Sequence, residues 1–150
     1  MTSVITIDGP SGAGKGTIAQ MLAIELNWNI LDSGALYRTL AYFMKENSIA
    51  IENFEENQNM LKTRFKVTFD PGTPGEPVRV LFENQDITSI VRTERMAKLT
   101  SDLAAEPLIR EFIKPCQREF MTPPGLIADG RDMGTVIFPD AKHKIFLTAS

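Results

Sequence analysis

The chain has 150 residues, 43% of them hydrophobic, which is enough to bury one core. The formal net charge of −3 argues against a general nucleic-acid surface, which needs a basic face, so a phosphate ligand would be held by a few placed cations and backbone amides. A single cysteine and a single histidine argue against an internal disulfide and a Cys/His zinc cluster, and we interpret Cys116 and His143 as bystanders.

No apolar run is long enough to span a membrane, and no charged-then-apolar leader precedes the first predicted strand. We therefore expect a cytoplasmic protein whose partners are small molecules and not membranes or nucleic acids. We also expect a monomer.

The chain begins with a strand, a glycine-rich turn and a helix. Residues 3–7 form a β-branched run typical of a buried parallel strand, and apolar residues at helical spacing predict a helix from Lys15 to about Leu26. Those apolar residues are Ile18, Met21, Leu22 and Leu26. The turn, Gly9-Pro10-Ser11-Gly12-Ala13-Gly14-Lys15-Gly16-Thr17, matches a phosphate-binding loop, or P-loop, in the setting that this motif requires. Its amides would cradle phosphate oxygens while Lys15 reaches the β- and γ-phosphates.

A second short strand and a helix follow the P-loop helix. Residues 30–31 predict a buried strand that ends at Asp32, and Ser33 begins a helix. The apolar side of that helix carries Leu36, Leu40, Phe43 and Met44. Arg38 lies off this stripe and faces away from the core, and we interpret Trp28 as a packing residue.

The middle of the chain changes pattern. Residues 54–62 predict a weak helix, and residues 65–69 and 78–82 predict strands on either side of a Pro/Gly turn cluster at 71–75. We expect a small antiparallel insert here. A long flexible loop is the alternative, which the regular alternation of β-branched and aromatic residues disfavours.

Two helices precede the last strands. One is predicted over residues 93–105 and the other, which Pro107 opens, over 108–120, where Pro115 predicts a kink or an early end.

Residues 126–128 and 144–147 predict a third and a fourth parallel strand. Strands that alternate with crossover helices indicate an α/β fold with ligands at the carboxyl ends of the strands. The polar residues expected at this edge are Asp8, Asp32, Asp129 and Thr148. We interpret Asp8 as structural, and Asp129 as a carboxylate that acts on Mg²⁺ or its waters, with capping of the next turn as the alternative.

Four stretches resemble bacterial cytidylate kinases, a family of P-loop nucleoside monophosphate kinases. The Gly14-Lys15-Gly16-Thr17 variant is similar to these kinases and not to GTPases. The other three are Leu31-Asp32-Ser33-Gly34-Ala35-Leu36-Tyr37-Arg38, Leu126-Ile127-Ala128-Asp129-Gly130-Arg131-Asp132-Met133-Gly134-Thr135-Val136 and Ala141-Lys142-His143-Lys144-Ile145-Phe146-Leu147-Thr148-Ala149-Ser150.

The resemblance implies a three-layer P-loop NTPase fold of the α/β class, with a mainly parallel sheet and a small antiparallel insert. Residues 1–60 and 121–150 would form the P-loop core, and residues 61–120 the monophosphate-binding region. The implied activity is transfer of the γ-phosphate of ATP, with Mg²⁺ as cofactor, to CMP or dCMP. The family continues with a further strand and an Arg-rich lid, both of which we expect this chain to lack.

The resemblance also assigns site residues. Lys15, Asp129 and Arg131 would serve phosphoryl transfer, and Thr17 and Asp129 would lie near Mg²⁺, although the displaced hydroxyl of Thr17 leaves direct ligation open. The residues implied for the acceptor nucleotide are Ser33, Arg38, Ser101, Arg110, Arg131 and Asp132. Among them, Arg38 and Arg131 would hold the phosphate, because Arg binds phosphate bidentately, and Ser101, Arg110 and Asp132 would select cytosine.

Three alternatives to this activity are open. A related small-molecule P-loop kinase leaves Asp132 and the insert unexplained. A fragment that binds nucleotides without turnover is the second. A GTP-hydrolysing switch needs an Asn-Lys-x-Asp segment, which the sequence does not contain.

Overall fold

The computed structural model describes residues 2–10 and 12–148, in which helices and strands alternate. The strands are β1 (Val4–Asp8), β2 (Asn29–Asp32), β3 (Val67–Asp70), β4 (Arg79–Phe82), β5 (Gln85–Asp86), β6 (Leu126–Gly130) and β7 (His143–Phe146). The α-helices are α1 (Lys15–Leu26), α2 (Ser33–Glu46), α3 (Gln58–Arg64), α4 (Thr88–Val91), α5 (Glu94–Ala104) and α6 (Pro107–Arg118). Short 3₁₀ turns cover Ile51–Asn53 and Glu55–Asn57, and a π-helical turn covers Met133–Ile137. Within the described ranges, no helix has both the length and the apolar character needed to cross a lipid bilayer.

Four parallel strands form the main sheet, in the order β2-β6-β1-β7. Asp8 at the end of β1 lies opposite Gly130 and Phe146, and Asp32 at the end of β2 lies opposite Asp129. The register therefore brings the carboxyl ends of the strands to one edge. The predicted α/β class, with a mainly parallel sheet and a small antiparallel insert, is confirmed.

The insert is the antiparallel sheet β3-β4-β5, and aromatic rings join it to the helices. The ring of Phe82 lies 5.5 Å from that of Phe43 on α2, edge to face. The ring of Phe65 lies 6.1 Å from Phe82 and 6.2 Å from Phe112 on α6. Because such pairs stabilise beyond their buried area, the insert is a packed element, and the flexible-loop alternative is wrong. The short strand β5 was not predicted, since both of its residues are polar and exposed.

A buried glutamine ties the insert to the helix that follows the P-loop. Nε2 of Gln20 donates to the carbonyl oxygens of Pro71 at 2.8 Å, Thr73 at 3.2 Å and Glu76 at 2.7 Å. These carbonyls belong to the hairpin turn between β3 and β4. Gln20 is only 4% exposed, so its amide needs partners, and the turn supplies them.

Helix α1 packs through Ala19, Gln20 and Ala23, with partly buried Leu22 beside them, and not through the other large apolar residues that predicted it. Ala19, Gln20 and Ala23 are its buried residues, whereas Met21 is 57% exposed and Leu26 is 41% exposed. The apolar spacing predicted the helix correctly, but of its four apolar residues Leu22 packs against the core while Ile18, Met21 and Leu26 are exposed. Small side chains let the helix backbone lie close to the sheet, which large apolar side chains would prevent.

Two predicted helix boundaries also differ from the structure. The helix predicted over residues 54–62 begins later, as α3, after two 3₁₀ turns. Helix α6 passes through Pro115 and ends at Arg118, so the early end was wrong. The missing amide of Pro115 leaves the carbonyl of exposed Glu111 to water, while the buried face, including Phe112 and Ile113, holds the helix in place.

Gly125, which precedes β6, lies directly against the ring of Trp28. A Cβ atom at residue 125 would lie 2.4 Å from Cδ2 of Trp28, which confirms Trp28 as a packing residue. We expect Gly125→Ala to lower the free energy of unfolding by about 1–3 kcal/mol through overpacking. Urea unfolding followed by circular dichroism measures this effect. Gly34→Ala is the matched control, since its Cβ would lie 3.6 Å from the nearest atom, Oδ1 of Asp32, and an equal loss in both variants would contradict the packing argument.

Candidate functional site

The P-loop connects β1 to α1 through left-handed backbone. Gly12 and Gly14 have φ angles of 86° and 83°, which glycine adopts without steric cost. Gly14 is the N-cap of α1, so the first amides of the helix have no carbonyl one turn earlier to bond. Amides at a helix N-terminus are donors for an anion such as a phosphate. Ser11, predicted as part of this loop, lies outside the described residues.

Lys15 forms an ion pair with the carboxylate at the end of β6. Its Nζ lies 3.3 Å from Oδ1 of Asp129, which is 6% exposed and receives no hydrogen bond on that oxygen within residues 2–10 and 12–148. Burial and the charge of Asp32 raise the pKa of Asp129 to about 6, while Lys15 and Arg92 oppose the rise. No described backbone amide donates to Oδ1 of Asp129, and its role toward Mg²⁺ stays a prediction.

The oxygen atoms around Asp129 are suitable ligands for a hard divalent cation that is bound to a polyphosphate. Asp129 has a buried oxygen without a hydrogen bond, and Asp32 ends the neighbouring strand. A Cβ at Gly16 would lie 3.7 Å from Oδ2 of Asp129, so the first turn of α1, with exposed Thr17, adjoins this carboxylate. No group of three or more His, Cys, Asp or Glu side chains suited to a metal occurs among the described residues. Mg²⁺ in phosphate sites needs only one or two carboxylates, because phosphate oxygens and waters supply the rest.

Arg92 is a residue of this site that the sequence did not single out. Its Nη2 lies 3.1 Å from Oδ2 of Asp32 and also donates to the carbonyl of Val78 at 3.1 Å. The other oxygen of Asp32 accepts from the amide of Ala35 at 3.0 Å and caps α2. Four charged side chains therefore follow one another in this site, in the order Lys15, Asp129, Asp32 and Arg92. Arg92 is not part of a recognisable sequence motif. Its contact with Asp32, 60 residues earlier in the chain, is what assigns it to this site.

The two arginines predicted for the acceptor phosphate lie in different parts of the fold, Arg38 on α2 and Arg131 directly after β6. Nη1 of Arg38 donates to the carbonyls of Val91 at 2.9 Å and Thr93 at 3.4 Å, so its guanidinium is held by the segment between α4 and α5. Arg131 is exposed and lines a cleft of about 400 Å³ next to the first residues of the P-loop. Neither guanidinium forms an ion pair with a described carboxylate, so both keep donors for an anion.

Two of the three residues predicted to select the base lie near one tyrosine. Burial raises the pKa of the Tyr37 hydroxyl; Arg110 lowers it and Asp132 raises it further, so both charges lie near this side chain. Ser101 lies on α5 and donates to the carbonyl of Ala97 at 3.1 Å. The charges of Arg110 and Asp132 thus both act on Tyr37, whereas Ser101 has a separate contact on its own helix.

Ser33, also predicted for the acceptor, is buried. Its Oγ accepts a hydrogen bond of 2.9 Å from Nε2 of Gln117 on α6. That bond still leaves the hydroxyl hydrogen of Ser33 as a donor. Gln117 is itself only 3% exposed, and the pair fixes the start of α2 against α6.

A second cavity, of about 280 Å³, lies between β2, β3 and α6, away from the P-loop. Cys116 lines it together with Lys66 and Glu119. Burial raises the pKa of the Cys116 thiol, Glu119 raises it further, and Lys66 lowers it. Because the thiolate is the reactive form, this cysteine is a poor nucleophile at neutral pH.

Comparisons with known proteins identify the family of this chain. The family model described as cytidylate kinase matches residues 5–150. The cytidylate kinases of Shewanella oneidensis and of Shewanella baltica strain OS155 are each 51% identical to this chain over 147 residues, which is 98% of this chain and 64% of theirs. The chain thus spans somewhat less than two thirds of the length of these relatives. With a match over nearly its whole length, the chain belongs to the cytidylate kinase family.

Proposed function

We propose that the protein transfers the γ-phosphate of Mg-ATP to CMP or dCMP and so forms CDP or dCDP. The observation that carries this proposal is the ion pair between Lys15 of the P-loop and Asp129 of β6, the strand that Arg131 directly follows. Family membership supports it. A cytoplasmic location and small nucleotides as ligands accompany the proposal.

The proposed reaction needs no protein base. A nucleoside monophosphate has a second pKa of about 6, so its phosphate is almost dianionic at neutral pH and one of its oxygens can attack the γ-phosphorus directly. The work of the protein is to place two phosphates in line and to offset their repulsion. In this proposal, the P-loop amides and Lys15 hold the donor, and the guanidinium groups of Arg38 and Arg131 hold the acceptor.

Asp129 and Thr17 are the residues that would hold the metal, directly or through water. Bound Mg²⁺ neutralises charge on the β- and γ-phosphates. Asp129 must be ionised to serve there, and its pKa of about 6 allows that at neutral pH.

Coupled release of ADP with a panel of acceptors tests the proposed activity, and the full-length protein should be used. We expect turnover with CMP and dCMP. Turnover with AMP or shikimate but not with CMP would favour a related small-molecule kinase. Calorimetry with the 150-residue chain is the companion measurement, because binding of ATP and CMP without turnover would support the inactive-fragment alternative.

Asp132 should select cytosine by accepting a hydrogen bond from the exocyclic amino group, which uracil lacks. We expect Asp132→Ala to cost about 1–3 kcal/mol in discrimination between CMP and UMP, measured as the ratio of kcat/KM values. Asp140→Ala, another exposed carboxylate removed by the same change, should leave that ratio unchanged. An equal loss toward CMP and UMP in Asp132→Ala would show that Asp132 does not recognise the base.

A further inference from the structure

The carboxylate of Asp8 accepts two hydrogen bonds from backbone amides in the segment that follows β6, the strand next to β1. Its Oδ1 accepts from the amide of Met133 at 2.7 Å, and its Oδ2 accepts from the amide of Gly134 at 2.9 Å. Asp8 is 6% exposed, so both oxygens depend on these amides. Hydrogen bonds to an ionised carboxylate are among the stronger ones in proteins.

The segment that Asp8 holds carries two residues of the proposed acceptor site. Arg131 and Asp132 lie directly before Met133, and both side chains are exposed. Asp132 has φ 61° and ψ 22°, a left-handed conformation that side chains other than glycine rarely adopt. Such a conformation persists only where the surroundings fix it. The two bonds to Asp8 fix the backbone immediately after it.

Asp8 is also the residue directly before the P-loop. Its own carbonyl accepts from the amide of Leu147 at 2.8 Å, which fixes the point at which the chain leaves β1. The cleft of about 400 Å³ is lined by Pro10 of the P-loop and by Arg131 and Asp132 of the acceptor segment. One buried side chain therefore joins the start of the donor loop to the acceptor segment.

We propose that Asp8 is a positioning residue that sets Arg131 and Asp132 relative to the P-loop; this inference rests on the proposed function. If this carboxylate were purely structural, its replacement would lower the stability of the protein and change nothing else. A positioning carboxylate also governs how the acceptor nucleotide binds and which base is preferred, without contact to either nucleotide.

Asp8→Asn tests the proposal because it keeps the size of the side chain. The amide lacks the charge and presents an NH₂ group toward a backbone N–H, so at least one of the two bonds is lost. We expect the KM for CMP to rise about tenfold and the preference for CMP over UMP to fall by a similar factor, as the loss of a charged hydrogen bond predicts. The KM for ATP should change by less than about twofold, because the P-loop amides are not altered.

Val4→Ala is the control, since it removes buried volume from the same strand. It should lower the melting temperature without changing either nucleotide preference. Hydrogen exchange gives a readout that does not require activity, in which the amides of Met133 and Gly134 should exchange faster in Asp8→Asn than in Val4→Ala. Asp8→Ser, which keeps one acceptor, replaces Asp8→Asn if that variant does not fold.

The outcomes separate this inference from the proposed function. If the unaltered protein fails to phosphorylate CMP, the proposed function is wrong, and the exchange data alone decide whether Asp8 holds the segment. If the unaltered protein prefers CMP and Asp8→Asn keeps the same preference and the same KM for CMP, the positioning role is wrong.

Discussion

Replacing Lys15 with Gln should reduce kcat for CMP phosphorylation by about 10²–10³-fold, the usual cost of removing one placed donor from a charge-stabilised transition state. The glutamine can still hydrogen-bond, but it carries no charge toward the phosphates. It also leaves Asp129 without the cation that lowers its pKa, so more of this carboxyl is protonated near neutral pH. The two effects act in the same direction.

Steady-state turnover in the full-length protein measures this loss. Lys114→Gln is the matched control, because Lys114 forms an ion pair with Glu111 on the surface of α6 and should affect turnover little. Restoration of activity in Lys15→Gln by higher ATP concentration would contradict a role in the transition state, since the change would then concern ground-state binding alone.

Replacing Asp129 with Asn should stabilise the unliganded protein at pH 7 while it reduces turnover. The pKa of Asp129 is about 6 in the folded chain, against an ordinary value of 3.8. At about 1.4 kcal/mol for each pH unit, ionisation of this carboxyl in the folded state costs up to about 3 kcal/mol at pH 7. The neutral amide removes that cost, so the free energy of unfolding should rise.

The pH dependence has a definite sign. Between about pH 4 and pH 6, the folded chain holds a proton on Asp129 that the unfolded chain has released, so stability falls as pH rises through this window. Asp129→Asn removes this fall. Urea unfolding at pH 4, 5, 6 and 7 measures this difference. The free energy of unfolding of the variant should exceed that of the unaltered protein by an amount that grows as pH rises and levels off above about pH 7.

Asp140→Asn serves as the control, since Asp140 is exposed and its replacement should change stability by less than about 0.5 kcal/mol. If the free energies of unfolding of Asp129→Asn and of the unaltered protein change with pH in parallel, burial does not raise the pKa of this carboxyl. A loss of stability at pH 7 in Asp129→Asn would show that its attraction to Lys15 outweighs the cost of burial.

The sequence predicted features whose parts lie close together in the chain. Strand β1, the glycine turn and α1 are consecutive, so a local pattern contains the whole motif. Asp129 follows an apolar run at the end of β6, and this position alone suggested a carboxylate at the ligand edge. The insert was predicted because alternation within a strand is also local.

The features that were missed depend on distant contacts. Arg92 reaches Asp32 across 60 residues, and no local pattern shows such a pair. The π-helical turn after Asp132 depends on Asp8, 125 residues earlier. The exposure of Ile18, Met21 and Leu26 on α1 has a different cause, because apolar spacing assumes that large side chains point inward, whereas Ala19 and Ala23 are the apolar residues fully buried on this helix.

The contact of Gln20 with the hairpin turn has a consequence for which substitutions the protein tolerates. Among the described residues, its amide donates to main-chain oxygens alone, those of Pro71, Thr73 and Glu76. Side chains at Thr73 and Glu76 can therefore be exchanged with little effect, provided that the path of the chain is kept. Position 20 has no such freedom, because its side chain must carry an amide. A library that randomises both regions should therefore recover many different turn sequences but one amide-bearing residue at position 20.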